Sequence, residues 1–209
     1  MIRDDVTGDA EPVMPLETQY DEYAAYLQRR SKLGKWYRKH WLYPRLSTCL
    51  KGGLLDIGCG IGDMLAYRPG SVGVDVNPHN VTYCRERGLD AKVMDPDQLP
   101  FAEASFDSVL LDNVLEHIEQ PSNLLAEIAR VLRPGGHLLI GVPGHRGQAS
   151  DPDHKQFYDE AALLRLASQS GFRIIQFLYS PLWRSNCLSQ RLRQYCIYSL
   201  WLPVSDVSH

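Results

Sequence analysis

The stretch Leu54-Leu55-Asp56-Ile57-Gly58-Cys59-Gly60-Ile61-Gly62-Asp63 constrains this chain more than any other. Leu54 to Ile57 reads as a short buried strand, and three alternate glycines follow at once. Glycine reaches positive φ without steric cost, so the backbone can turn sharply there and lie bare against a ligand. Such a turn opens a helix whose first N–H groups point at whatever sits above the strand. A second strand, Val72-Gly73-Val74-Asp75-Val76, ends near Asp75, 13 residues beyond Gly62, where a carboxylate can accept two ribose hydroxyls. The glycines alone also fit a plain strand-to-helix turn; the acidic strand end favours a nucleotide.

From there the chain alternates. Strands are expected near 54–57, 72–76, 91–94, 106–111, 137–142 and 173–178, with helices starting near Gly62, Pro78, Val114 or Pro121, and Glu160. The amphipathic run Leu124-Leu125-Ala126-Glu127-Ile128-Ala129-Arg130-Val131-Leu132 stops at Pro134-Gly135, as a helix end should. Regular alternation predicts an α/β fold with a doubly wound, mostly parallel sheet. The first helix is short, because Pro69-Gly70 follows soon after Gly62. Residues 195–202 read equally well as a last strand or as a continuation of a helix carrying Leu188 and Leu192.

Two later segments bear on which nucleotide binds. Asp95-Pro96-Asp97-Gln98-Leu99-Pro100-Phe101 precedes Phe106-Asp107-Ser108-Val109-Leu110-Leu111-Asp112-Asn113-Val114-Leu115-Glu116-His117-Ile118, and Arg130-Val131-Leu132-Arg133-Pro134-Gly135-Gly136-His137-Leu138-Leu139-Ile140 follows. With these motifs in order, residues 54–172 resemble the class I S-adenosylmethionine-dependent methyltransferases, specifically the small type 11 group. The resemblance implies a Rossmann-like fold and S-adenosylmethionine as cofactor. It implies that Gly58, Gly60 and Gly62 approach the methionine part, with Asp56 ordering the loop near the amino group. Asp75 would hold the ribose, Val76 and Asn77 would flank the adenine, Asp95 would accept from its amino group, and Met94 would lie against the ring. Asp112 would face the methionine end. Simpler readings stand beside these: Asp95 as a turn residue before Pro96, Met94 as ordinary core, and Cys59, inside the cofactor loop, as a small packed residue.

A chain of 209 residues suits one sizeable domain with appendages. Residues 1–19 are acidic and proline-punctuated and are expected to be mobile; 20–50 form a basic helical lid; 51–209 form the methyltransferase domain. Five scattered cysteines without Cys-x-x-Cys spacing favour a reducing compartment over a zinc or disulfide framework. With no apolar leader and no uncharged run long enough to span a bilayer, a cytoplasmic location is expected, with possible attachment to the inner membrane face.

The net charge of −3 hides a partition. Residues 23–55 carry eight Lys/Arg and no acid, and residues 161–205 carry five Arg and no acid, while 56–160 hold 17 acids against 8 bases. Both basic flanks are rich in Trp and Tyr, a composition suited to an anionic, partly apolar surface such as a membrane. It also suits a solvated lid with its aromatics packed inward.

The cofactor's sulfonium makes its methyl group a strong electrophile, so the protein must mainly align an acceptor and exclude water. An acceptor hydroxyl also needs its proton removed. His154, in Asp151-Pro152-Asp153-His154-Lys155-Gln156-Phe157-Tyr158, is the expected catalytic base, with a loop-bonding role as the alternative and His145 as second choice. No metal is expected. A Pro-Pro-aromatic clamp is missing after Asp112, and the middle of the chain is acidic, so nucleic acid is an unlikely partner. The favoured acceptor is a small or lipid-linked molecule, in particular a cell-surface glycan or its precursor in polysaccharide biosynthesis. A quinone-type or phenolic metabolite comes second. A nicotinamide-dependent oxidoreductase would share Asp75 but calls for Gly-x-Gly-x-x-Gly, which the chain lacks. A non-catalytic cofactor-binding module is the third possibility.

Overall fold

The computed structural model describes Thr18, Tyr20, Ala25, Leu27 and residues 31–204. The expected mobile segment therefore lies almost entirely outside the described residues. Seven strands form one sheet: β1 (Leu54–Ile57), β2 (Val72–Asp75), β3 (Ala91–Val93), β4 (Phe106–Asp112), β5 (Leu132–Pro143), β6 (Phe172–Ser180) and β7 (Cys196–Pro203). Their order is β3-β2-β1-β4-β5-β7-β6. The first five run parallel, and β7 lies antiparallel between β5 and β6. The doubly wound α/β expectation holds.

Side chains along β4 and β5 alternate between two cores, as strand geometry requires. Val109, Leu111, Leu138 and Ile140 face one core, and Leu110 and Leu139 face the other. The front segment supplies much of that second core. It runs as α1 (Lys32–Tyr37), a π-helical turn Arg38–Leu42, and α2 (Tyr43–Ser47). Leu42, Tyr43, Leu46 and Leu50 are buried against Leu54, Leu110, Leu139, Tyr198 and Leu200, so half of the expected lid is an integral layer of the sheet. Gly34 and Pro44 both lie inside helices, so neither interrupts the segment. The wider π turn takes up Pro44's missing N–H, with the Tyr43 N–H donating to the Arg38 carbonyl.

Four further helices cover the strands: α3 (Asp63–Tyr67), only five residues long, α4 (Pro78–Arg85), α5 (Ser122–Val131) and, after a four-residue α6 (His145–Gln148), α7 (Glu160–Gln169). Leu124, Leu125, Ile128 and Val131 of α5 are fully buried on one stripe. Each such side chain contributes about 1.5–3 kcal/mol relative to exposure. Both helix starts proposed after β4 are used, a 3₁₀ turn at Leu115–His117 and α5 itself. Strand β5 begins earlier than expected because Leu132 pairs with Phe106 across a bulge. The segment read as 195–202 is strand from Cys196 on, not helix; the helical reading applies only to α8 (Asn186–Arg191).

Candidate active site

A cleft of about 740 Å³ opens at the carboxyl ends of the parallel strands. The glycine turn forms its floor. Gly58 (φ 69°) and Gly60 (φ 54°) both need the left-handed region, and a Cβ on Gly58 would overlap the Val114 side chain. The Gly58 and Cys59 N–H groups donate to the Val74 carbonyl at 2.8 and 3.0 Å, fastening the turn to β2. Asp75 then closes it: one carboxylate oxygen accepts from the Gly60 N–H and the other from the Asn77 N–H, each at 2.8 Å. A carboxylate has about four acceptor positions, so lone pairs remain for two hydroxyls. Burial pushes the Asp75 carboxyl up, and these two N–H donors pull it back.

Asp56, Gly58, Cys59, Gly60, Asp75, Val76, Asp112 and His154 all line this cleft. Gly62, Asn77, Met94 and Asp95 do not. Gly62 sits behind the turn, where a Cβ would press on Leu89 and the Cys84 sulfur. Asn77 is spent as the cap of α4, its side chain accepting from the His79 N–H at 2.9 Å and donating to the Tyr20 carbonyl at 2.9 Å. Met94 is buried in the main core. Asp95 folds back on Gln98, and its hollow is shared with Asn123 and Glu127.

Three residues not anticipated from the sequence, Arg38, Asn113 and Tyr198, complete the cleft. Arg38, from the π turn, lies 3.3 Å from Asp112 Oδ2. The Tyr198 hydroxyl donates to Asp112 Oδ1 at 2.8 Å, as does the Asn113 side-chain amide. Tyr198 crosses β5 only because position 141 is glycine; a Cβ there would overlap its ring. Asn113 is also one of two described non-glycine residues with positive φ (58°), which a short polar side chain tolerates. Burial raises the Asp56 carboxyl well above the carboxylate range, and the nearby Asp112 and Asp75 add to the effect. The cleft floor thus pairs acidic groups with one guanidinium, a fit for an amino acid's ammonium and carboxylate.

At the opposite wall, His154 holds its Nδ1 3.0 Å from the Gln148 carbonyl oxygen, so that nitrogen donates and Nε2 points away from the carbonyl. Its Nε2 lies 3.8 Å from Glu116 Oε1 and 4.0 Å from Asp151 Oδ2. Glu116, also unanticipated, lies behind the cleft wall: it is wholly buried, and burial pushes its carboxyl up to about 8. His117 stands edge-on to His154 with ring centroids 4.7 Å apart, and burial lowers its basicity. His145 stacks on Phe157 at 4.4 Å and is not on the cleft wall.

The comparisons agree with this geometry. Residues 55–140 match the model of a methyltransferase domain. A probable S-adenosylmethionine-dependent methyltransferase of Mycolicibacterium smegmatis is 31% identical over 153 residues, 66% of this chain and 60% of the relative. Over its central part the chain is thus similar to S-adenosylmethionine-dependent methyltransferases. A fatty-acid O-methyltransferase of the same organism is 36% identical over 96 residues, 41% of this chain and 35% of that one. The chain thus spans less than two thirds of these relatives' length. Among solved structures, a SAM-dependent methyltransferase from Archaeoglobus fulgidus superposes with a TM-score of 0.64 at 19% identity, over 87% of this chain and 99% of that chain. In this methyltransferase family the cofactor is S-adenosylmethionine, and Asp75, the glycine turn, Asp56, Asp112 and Arg38 are chemically suited to hold it.

Proposed function

We propose that this methyltransferase acts on an oxygen of an amphiphilic, lipid-linked acceptor presented at an anionic membrane surface. One observation carries the transfer reading: the glycine turn and an imidazole held through Nδ1 by a backbone carbonyl share a single cleft. The bound cofactor supplies an electrophilic methyl group. Asp75 holds its ribose, and Asp56, Asp112 and Arg38 orient its amino-acid end. His154 activates the acceptor hydroxyl. An imidazole does this by taking the proton or by holding a cation that acidifies the hydroxyl.

The acceptor class is supported by the face beside the cleft. Trp41 Nε1 donates to the Pro181 carbonyl at 2.7 Å, and Arg45 donates to the same oxygen at 3.1 Å. The two basic, aromatic flanks therefore meet. Leu33, Trp36, Trp41, Leu182 and Trp183 are left exposed there, Trp36 at 60% and Trp183 at 66%. Lys32, Lys35 and Lys39 are exposed on the same front helix. Aromatic side chains among lysines suit a bilayer interface, each basic residue contributing about 1 kcal/mol near anionic lipid. A lipid-linked glycan precursor is one acceptor of this kind, and the fatty-acid O-methyltransferase relative supports the lipid side.

Co-sedimentation with vesicles of phosphatidylcholine alone or with phosphatidylserine tests the surface. Binding to the anionic vesicles should fall as salt rises and should be lost when Lys32, Lys35 and Lys39 are reversed to Glu. Equal, negligible binding to both vesicle types at low salt leaves only the inward-packed lid. Methyl-labelled cofactor offered with hydroxylated amphiphiles and with soluble phenols tests the acceptor. Label confined to the phenols would replace the lipid reading by the phenolic one.

A further inference from the structure

The wall of the cleft gathers groups that cofactor binding leaves unexplained. Glu116 is wholly buried, and neither of its carboxylate oxygens has a hydrogen-bond partner. A buried, unpaired carboxylate is a costly thing for a fold to keep unless a cation joins it. Two imidazoles face it. The ligand atoms of Glu116, His117 and His154 all lie within 4.8 Å of one another.

The far side of one ring is already tied down: His154 Nδ1 lies 3.0 Å from the Gln148 carbonyl oxygen and donates to it. Fixing one ring nitrogen on a backbone carbonyl and aiming the other inward is how metal-binding histidines are held in their tautomer. Asp151 Oδ2, 4.0 Å from His154 Nε2, is within reach as a further ligand. We propose that Glu116, His117 and His154 form a binding site for a divalent transition cation.

The donor set decides the class of ion. Two imidazoles and one carboxylate suit zinc, iron(II), cobalt(II) or manganese(II), whereas magnesium and calcium favour all-oxygen shells. Ligand atoms around a tetrahedral ion with bonds of about 2.0–2.1 Å stand roughly 3.3 Å apart. From 3.8 Å, the separation of His154 Nε2 and Glu116 Oε1, small side-chain rotations close that gap. His117 and His154 are both on the cleft wall, so the open position of the ion faces the acceptor. An ion there polarises an acceptor hydroxyl and lets its proton pass to water in the cleft. This second half rests on the oxygen-methylation reading; the binding site itself does not.

The test uses the full chain after treatment with a chelator. Cobalt(II) titration followed by visible absorption, and zinc titration by calorimetry, should each show one saturable equivalent. The cobalt spectrum should lack the thiolate charge-transfer band that binding at a cysteine would give. Glu116→Gln and His117→Ala should each weaken binding at least ten-fold, with far-ultraviolet circular dichroism confirming the fold. If either variant does not fold, Asp151→Asn, on the exposed loop side, should still weaken binding several-fold. No saturable binding, a thiolate band, or variants that bind as wild type would each overturn the site. Restoring the ion should raise methyl transfer at least ten-fold over the chelated protein. Binding without that rise overturns the acceptor role alone. Transfer to no acceptor, with or without the ion, overturns the oxygen-methylation reading and leaves the binding result standing.

Discussion

Arg38 and Asp112, 74 residues apart in sequence, meet at 3.3 Å across the cleft floor. The front helix is thereby joined to the end of the fourth strand by a charge pair at the place where the cofactor's amino-acid end is proposed to lie. Arg38→Ala should lower stability by about 1.5–3 kcal/mol. In a chain of this size that is roughly 3–12 °C in Tm. It should also weaken S-adenosylhomocysteine binding at least ten-fold by calorimetry. Arg38→Lys should recover little of either, because an ammonium lacks the planar fork of a guanidinium. Unchanged cofactor affinity in both variants would make the pair purely structural.

Asp75→Ala removes the charged acceptor proposed for the ribose. About 1.5–3 kcal/mol should be lost, roughly ten- to a hundred-fold in affinity for S-adenosylmethionine and its demethylated product. Because Asp75 also accepts from the Gly60 and Asn77 N–H groups, Tm should fall as well. Calorimetry at wild-type affinity would remove Asp75 from the cofactor site.

His154→Ala should act on turnover. We expect kcat to drop by about 10²–10⁴ while cofactor affinity stays within about two-fold. His145→Ala, altering a ring stacked on Phe157 away from the cleft, should lower kcat less than three-fold. A His154 variant that turns over normally would restrict this residue to loop-ordering through Gln148.

Glu127 offers a pH test remote from the cleft. Its carboxylate accepts both Arg130 guanidinium N–H groups at 2.6 and 2.7 Å and the Leu99 N–H at 3.0 Å, and these contacts, Arg130 first, lower its pKa to about 2. Since the folded value lies below the ordinary one, the stabilisation is complete above about pH 4.5 and fades as pH falls towards 2. Glu127→Gln should therefore melt below wild type at pH 7, with the difference gone near pH 2. A difference independent of pH would mean that the carboxylate's charge contributes nothing.

The parts of this molecule legible in the sequence are those set by near neighbours. The glycine turn, the five parallel strands and Asp75 all follow from residues a few positions apart. Residues 195–202 were ambiguous because a strand covered on both faces loses its alternation: Cys196 through Trp201 are all buried, which reads as well for a buried helix. The resemblance implies that Asn77 flanks the adenine; its side chain also caps the start of α4, a contact set by the fold. Arg38, Tyr198 and Glu116 were hidden for another reason. Each meets its partners only through tertiary packing, and Gly141, whose missing side chain makes room for Tyr198, looks in sequence like any strand glycine.

The position of β7 has a consequence for the order in which the chain can assemble. Strand β6 touches the rest of the sheet only through β7, which is made after it. The front helix in turn leans on the far end of β6, through Tyr37 on Ser180 and through Trp41 and Arg45 on Pro181. During synthesis the helix emerges first but has no completed shelf to rest on until residues 196–203 have left the ribosome. The front helix, made before every described strand, therefore reaches its final seat only after the last of them.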